Sequence, residues 1–405
     1  MNRTGPASAG FIRLYLLAFL FFFANSVLTV ALPLRSADAG FGQGGIGLMM
    51  GAYMLTCMLL RPLAGQWIGR FGPLAVMRGL LAVHAITLLL YAVSGVEGYI
   101  WLRALQGAAT AFFSMTMQAG IVERLEDKDR GQGLSLYTLS TMLPSLVGPL
   151  LAVELWERGG SYAFGGAMLL LALAAIAAGF SLPLPKASAQ QQSYTLRGLL
   201  ESFGEIGRSR PLGVSTFIML LTSCIFGAIA TFLPLYLISA NSGSVGVYLA
   251  TQGATVVVCR FVFRKKIPSD GRWSAALILG LLLASAIGTQ MLAMPQNLGS
   301  LLYLSAIFNG LALAFLYPTL TTYLSFALPA KARYTLMGLF MSAYDLGFAL
   351  GGFVFGWIAQ TWSYPTVFTC CTILALLAFA VAAVNGKKMN VKEAKRREKF
   401  SERRL

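Results

Sequence analysis

Charge is scarce in this sequence. Of its 405 residues, 11% are Asp, Glu, Lys or Arg, against about a quarter in soluble domains. That shortage excludes an ordinary soluble globular chain. Histidine occurs once, as His84. The five cysteines, Cys57, Cys224, Cys259, Cys370 and Cys371, all stand in apolar runs with no metal-ligand spacing, and they read as small buried hydrophobes. No phosphate-cradling loop of the P-loop type occurs, which argues against direct ATP drive. No nucleophile–base constellation occurs either, so no enzyme, metal site or cofactor is expected.

What is present is hydrophobic sequence, 57% of the chain. A membrane-spanning helix needs roughly 20 mostly apolar residues. Such runs fall near 14–34, 46–69, 79–96, 99–122, 132–155, 161–182, 212–238, 245–263, 273–294, 299–327, 334–359 and 363–385. Their length rules out the short alternating strands of a transmembrane barrel. The expected fold is all-α and polytopic, with 12 transmembrane helices. The first run mimics a signal peptide, with Ala37 and Ala39 in place of a cleavage site, but its apolar stretch is too long for an h-region of about 7–15 residues.

Acids are few, 15 against 31 basic residues, giving a net charge of +16. All but five of the basic residues fall at the N-terminus, in alternate gaps, in the central linker or in the tail; Arg35 and Arg158 lie on the opposite side, and Arg61, Arg103 and Arg260 within spans. The positive-inside rule then puts both termini in the cytoplasm of a cell-membrane protein. This placement explains the basicity without a nucleic-acid partner. The tail from Lys387 to Arg404, with nine basic residues, fits anionic lipid head groups of the bilayer.

The longest polar gap divides the spans six and six. It predicts an N-terminal bundle over 1–183, a linker over 184–211 with a short amphipathic helix (Leu196, Leu199, Leu200, Phe203, Ile206), a C-terminal bundle over 212–386 and a basic tail over 387–405. Landmarks repeat between the halves. ALPL at Ala31–Leu34 is matched by FLPL at Phe232–Leu235, Arg61 and Gly72 by Arg260 and Gly271, and Gly107 before AATAF by Gly310 before LALAF, at offsets of 201, 199 and 203. Two pseudo-symmetric six-helix bundles with a site between them near midplane are therefore expected.

The gap after the second span reads GQWIGRFG, Gly65 to Gly72. With RALQGAATA at Arg103–Ala111, it resembles the major facilitator superfamily: Gly65, Arg70 and Gly72 match the family's conformational loop, and Arg103, Gln106 and Gly107 a fourth-helix motif associated with proton coupling. The family's loop acid is replaced by Gly69, and the basics after the second glycine by Pro73 and Leu74. Gly148-Pro149 after Pro144 resembles a degraded antiporter motif of the fifth helix. The first two spans are similar to exporters of opine-type metallophores. The resemblance implies a secondary transporter working by alternating access, with helices 1, 4, 7 and 10 around a central cavity and helices 2 and 11 facing each other.

An ionisable group at bilayer depth is costly and marks a candidate site. Asp345 stands alone in SAYDLGFALGG, mid-span, and can load and release a proton. By residue count at about 1.5 Å each, Arg61 lies about 12 Å and Asp345 about 16 Å from the termini side, within reach of one another across the halves. The competing reading is a structural ion pair or a snorkelling Arg61. Arg103 leads a polar stripe with Gln106, Thr110, Ser114 and Gln118, which lipid would not tolerate. Proton coupling is accordingly assigned to Asp345, Arg103 and Arg61. Substrate binding is assigned to Asn25, Thr29, Arg103, Gln106, Thr110, Ser223, Tyr303 and Tyr317, with Ser/Thr packing contacts as the alternative. His84 is a satisfied core histidine or a relay, and Glu154 is interfacial. The expected function is proton-coupled efflux of a small amphipathic or anionic metabolite or metallophore by a monomer. The alternatives are a multidrug pump, disfavoured by the lack of an acid in mid-span 1, a proton-linked importer of a sugar or organic acid, and a non-transporting receptor or scaffold.

Overall fold

The computed structural model describes residues 7–125, 127–179, 209–263, 272–294, 299–328 and 333–401, together with Gly5, Leu182 and Leu184. The linker helix expected inside 184–211, over Leu196–Ile206, lies outside them, as does Gly271. The described residues form helices throughout: α1 (Ala9–Asp38), α2 (Gln43–Phe71), α3 (Pro73–Val93), α4 (Tyr99–Arg124), α5 (Asp127–Met142 and Pro144–Glu154), α6 (Gly160–Gly179), α7 (Arg210–Ser239), α8 (Val245–Val262), α9 (Ala275–Leu292), α10 (Leu302–Ala327), α11 (Arg333–Thr361) and α12 (Tyr364–Ser401).

Eleven of them contain segments long and apolar enough to cross a membrane. The exception is α4, whose 26 residues suffice in length but whose polar stripe lowers its hydropathy. Alternation of twelve crossings puts both ends of the chain on one side, called here the termini side. Large apolar side chains such as Leu170, Val258 and Leu377 cover the outward surface, and Trp101, Tyr162 and Trp362 stand exposed at helix ends on the far side, as lipid and its interface favour.

Local chemistry sets the breaks. Gly72 takes φ +81° between α2 and α3, a conformation open to glycine, and Pro73 then starts α3 where its missing N–H is harmless. Pro144 interrupts α5 after Met142, and a π-helical turn, Leu155–Gly159, closes that span.

The two halves are joined unevenly. On the far side a single hydrophobic core runs from Val27, Leu28 and Met50 of the N-terminal half to Ile229, Phe232 and Tyr248 of the C-terminal half. On the termini side the core splits into one cluster around Phe21, Phe113 and Ile121 and another around Ile218, Phe340 and Leu324. Glycines allow the far-side contact: Gly47 and Gly51 of α2 lie against the backbone of Gly352 and Ala349 of α11, and Gly253 of α8 against Ser145 of α5. Gly44 N–H donates to Gln360 Oε1 at 3.0 Å, and Gln43 Nε2 to the Tyr364 hydroxyl at 3.3 Å. The bundles thus meet on the far side and part on the termini side. Contacts within the halves follow the repeat, since Gly107 packs on the backbone of Tyr53 and Gly310 on that of Gln252.

Candidate functional site

A cavity of about 210 Å³ lies where the cores part, with walls from both halves: Ser26 and Thr29 of α1, Ser145 and Pro149 of α5, Ile229 and Ala230 of α7, Gln252 of α8, Leu313 of α10, and Tyr344 and Phe348 of α11. No lining residue is charged. The expected lining helices were 1, 4, 7 and 10; α4 contributes none, because α1 stands in front of it.

Arg103 therefore sits one side chain behind the wall. The residue is 1% exposed. Nη1 donates to Asn25 Oδ1 and Gln106 Oε1, both at 3.0 Å, and Nη2 to Thr29 Oγ1 at 3.2 Å and towards Met50 Sδ at 3.5 Å. The Tyr53 ring covers it at 4.7 Å. The network continues through Asn25 Nδ2 to the Tyr53 hydroxyl at 2.7 Å, from that hydroxyl to Thr110 Oγ1 at 2.9 Å, and from the Tyr91 hydroxyl to Gln106 Oε1 at 3.2 Å. Every described partner of Arg103 is neutral, and its Nε finds none. A buried guanidinium without a carboxylate is an unusual and costly arrangement. It is eased here by a fork of oxygens and an aromatic face, and Thr29 links it to the cavity.

Asp345 and Arg61 form the second charged group. Arg61 Nε lies 2.6 Å from Asp345 Oδ2 and Nη2 lies 3.2 Å from Oδ1, a bidentate pair between α2 and α11. The Asp345 side chain is 2% exposed and that of Arg61 20%. The pair bridges the two halves just where their shared core ends. Tyr344, next to Asp345, lines the cavity, and Tyr317 packs against it with ring centroids 5.7 Å apart.

Arg260, the repeat's counterpart of Arg61, is treated differently. Pro318 supplies no N–H to the carbonyl of Ala314 four residues earlier. Arg260 Nε donates to that carbonyl at 3.0 Å and Nη2 to Leu313 O at 3.4 Å. One half-buried arginine thus holds a carboxylate across the halves, and the other repairs a proline kink inside one half.

The residues assigned from the sequence fall into different surroundings. Ser223 does not reach the cavity; its hydroxyl bonds the carbonyls of Met219 and Leu220 in its own helix, and Gly347 packs against it. Tyr303 is at the far-side end of α10, where its hydroxyl accepts from Ser244 N–H at 2.9 Å. Tyr317 belongs with the Asp345 pair rather than the lining. Asn25 and Gln106 hold Arg103, Thr110 joins the network through the Tyr53 hydroxyl, and none of the three lines the cavity, whereas Thr29 both holds Arg103 and lines it. Gly65 is in the last turns of α2, Arg70 stacks on the Phe71 ring at 5.2 Å, and Gly72 makes the turn to α3. His84 is fully buried against Phe21, centroids 4.2 Å apart, with neither ring nitrogen partnered, so no described group continues a relay. Glu154 pairs with Arg158 on the surface at 3.2 Å. Missed altogether were Tyr53 and Tyr91, which complete the Arg103 network, and Gln252. Tyr53, Cys57 and Arg61 recur at four-residue spacing on one face of α2, a signal that was there to read.

A family model described as Major Facilitator Superfamily matches residues 14–284 and 269–404. The Staphylopine export protein of Staphylococcus aureus (strain Mu50) is 39% identical over 378 residues, 92% of this chain and 95% of that protein. Among solved structures, the nucleoside transporter NupG aligns with a TM-score of 0.74 at 18% identity, over 92% of this chain and 98% of that one. A bacterial homologue of the human lysosomal transporter Spinster, inward-facing and unoccupied, aligns with a TM-score of 0.72 at 13% identity, over 93% and 96%. The split core, the cavity between two bundles and the family match agree: this chain belongs to the major facilitator superfamily and is a multi-pass membrane transporter.

Proposed function

We propose that this transporter exports a small anionic or zwitterionic metallophore of the staphylopine kind across the cell membrane in exchange for protons. The observation that carries the cargo assignment is Arg103. Its guanidinium lies behind a cavity without lining charge, it has only neutral described partners, and Thr29 connects the two. An anionic group entering the cavity supplies the counter-charge that the protein withholds. The 39% identity to a staphylopine exporter along 92% of the chain supports the same reading.

Asp345 and Arg61 supply the coupling. With the termini side cytoplasmic, the state described here is open inward and sealed outward. In it the carboxylate grips Arg61, so its proton has been released inward. Once the halves have rocked to open outward and cargo has left, a proton arriving from outside on Asp345 removes one charge of the pair and lets the halves rock back. The cycle then alternates, with cargo leaving outward as protons enter. With Gly69 in place of the family's loop acid, this pair is the ion pair between α2 and α11 among the described residues.

Everted membrane vesicles test the proposal. Staphylopine added outside should accumulate in the lumen when the lumen is acidic, and a protonophore should abolish accumulation. Uptake that persists at full rate with the gradient collapsed would remove the coupling claim. No uptake under any gradient would remove the cargo claim.

A further inference from the structure

An internal proline offers no N–H to the carbonyl four residues before it. Three such prolines, Pro33 in α1, Pro149 in α5 and Pro234 in α7, deprive the carbonyls of Thr29, Ser145 and Ala230 of their in-helix donors. All three of these residues line the cavity between the halves. The coincidence is selective. Pro62 of α2 also frees a carbonyl, that of Met58, which is not in the lining, and the carbonyl freed by Pro318, that of Ala314, is taken by Arg260 at 3.0 Å and is not in the lining either. The Ser145 carbonyl abuts Gly253 of α8, which has no side chain to donate to it. Carbonyl oxygens released from helical pairing are strong acceptors, and where they converge in a membrane interior they attract cations. No acid in the lining competes with them.

We infer that the cavity holds a protonated amine of the cargo on the carbonyls of Thr29, Ser145 and Ala230. The cargo is then a zwitterion, with its anionic end towards Arg103 and its ammonium towards the proline kinks. This deepens the export proposal and rests on it for the anionic end. It also favours a metal-free cargo, because an amine that coordinates a metal has given up its ammonium proton and, with it, the positive charge the carbonyls attract.

The test uses two probes of nearly equal shape. Iminodiacetate carries a protonated secondary amine between two carboxylates, and glutarate has a methylene in its place. Binding of each to the purified full-length transporter is measured calorimetrically in metal-free choline buffer. Iminodiacetate should bind about tenfold more tightly, the worth of one hydrogen bond to a charged group. Pro234→Ala and Pro33→Ala, which return an N–H to the freed carbonyls, should each shrink that preference while leaving glutarate binding unchanged; the latter also reports that the variant is folded. Pro318→Ala should leave the preference intact, because its carbonyl already serves Arg260. Equal binding of the two probes, binding of neither, an undiminished preference in both proline variants, or displacement of iminodiacetate by sodium would overturn the inference. Failure of the export proposal is seen separately, as absent staphylopine uptake in everted vesicles while the amine preference survives.

Discussion

Two arginines and one aspartate decide the chemistry at the scale of single residues. Arg103 is held by a fork of oxygens from Asn25, Gln106 and Thr29, and a lysine cannot reproduce that fork. Arg103→Lys is expected to raise the KM for staphylopine uptake by about tenfold or more while the protein stays folded, the loss of one charge-assisted contact. An unchanged KM would detach Arg103 from the cargo. Asp345→Asn leaves Arg61 inside without its counter-charge. Breaking a buried pair in this way costs about 3–5 kcal/mol, and less here because the Arg61 side chain is 20% exposed and can reach towards the surface. A lowered unfolding midpoint in detergent checks this, and Arg61→Met with Asp345→Leu should restore much of it without restoring coupling. The depth of Arg61 and Asp345 could be counted from the sequence because charges in an apolar run are few and unmistakable. Tyr53 and Tyr91 were not legible as functional, since an aromatic in such a run looks like any other core side chain until its hydroxyl partner is seen.

At the scale of helices, glycines and prolines do opposite work. Glycines bring α2 against α11 on the far side, and prolines open the lining helices. A Cβ at Gly47 would run into the carbonyl of Gly352, and one at Gly51 into that of Ala349. Gly47→Val should therefore wedge the far-side contact apart. The expected outcome is a several-fold gain in labelling of a cysteine introduced at Ala359, buried in the far-side core, by an impermeant thiol reagent from outside; unchanged labelling would mean that this contact is not the seal. The twelve spans were readable from hydropathy, and α4 was recognisable as the polar exception through Arg103, Gln106 and Thr110. Which glycines make interhelical contacts was not, because 43 of them are spread through the chain and spacing alone does not name a partner. The assignment of Ser223 and Tyr303 to the lining failed for a related reason. A polar residue on an expected lining helix can satisfy itself within its own helix, as Ser223 does, or lie too near the end, as Tyr303 does.

The whole molecule is a pair of bundles sharing one core on the far side and keeping two on the termini side. The repeat offsets foretold the pairing of halves, because duplicated landmarks such as Gly107 and Gly310 face equivalent backbone. The direction in which the halves open was not foretold, since it depends on contacts between residues some 300 positions apart, such as Gly44 with Gln360. The central claim is that the ion pair across this opening converts a proton gradient into movement of cargo. Its most direct test is proton flux, followed with a pH-sensitive dye inside everted vesicles. Staphylopine added to vesicles with an acidic lumen should draw protons out of the lumen with wild-type protein. With Asp345→Asn the cargo-driven proton flux should vanish while exchange of staphylopine for staphylopine continues. Proton flux that survives unchanged in Asp345→Asn would contradict the claim.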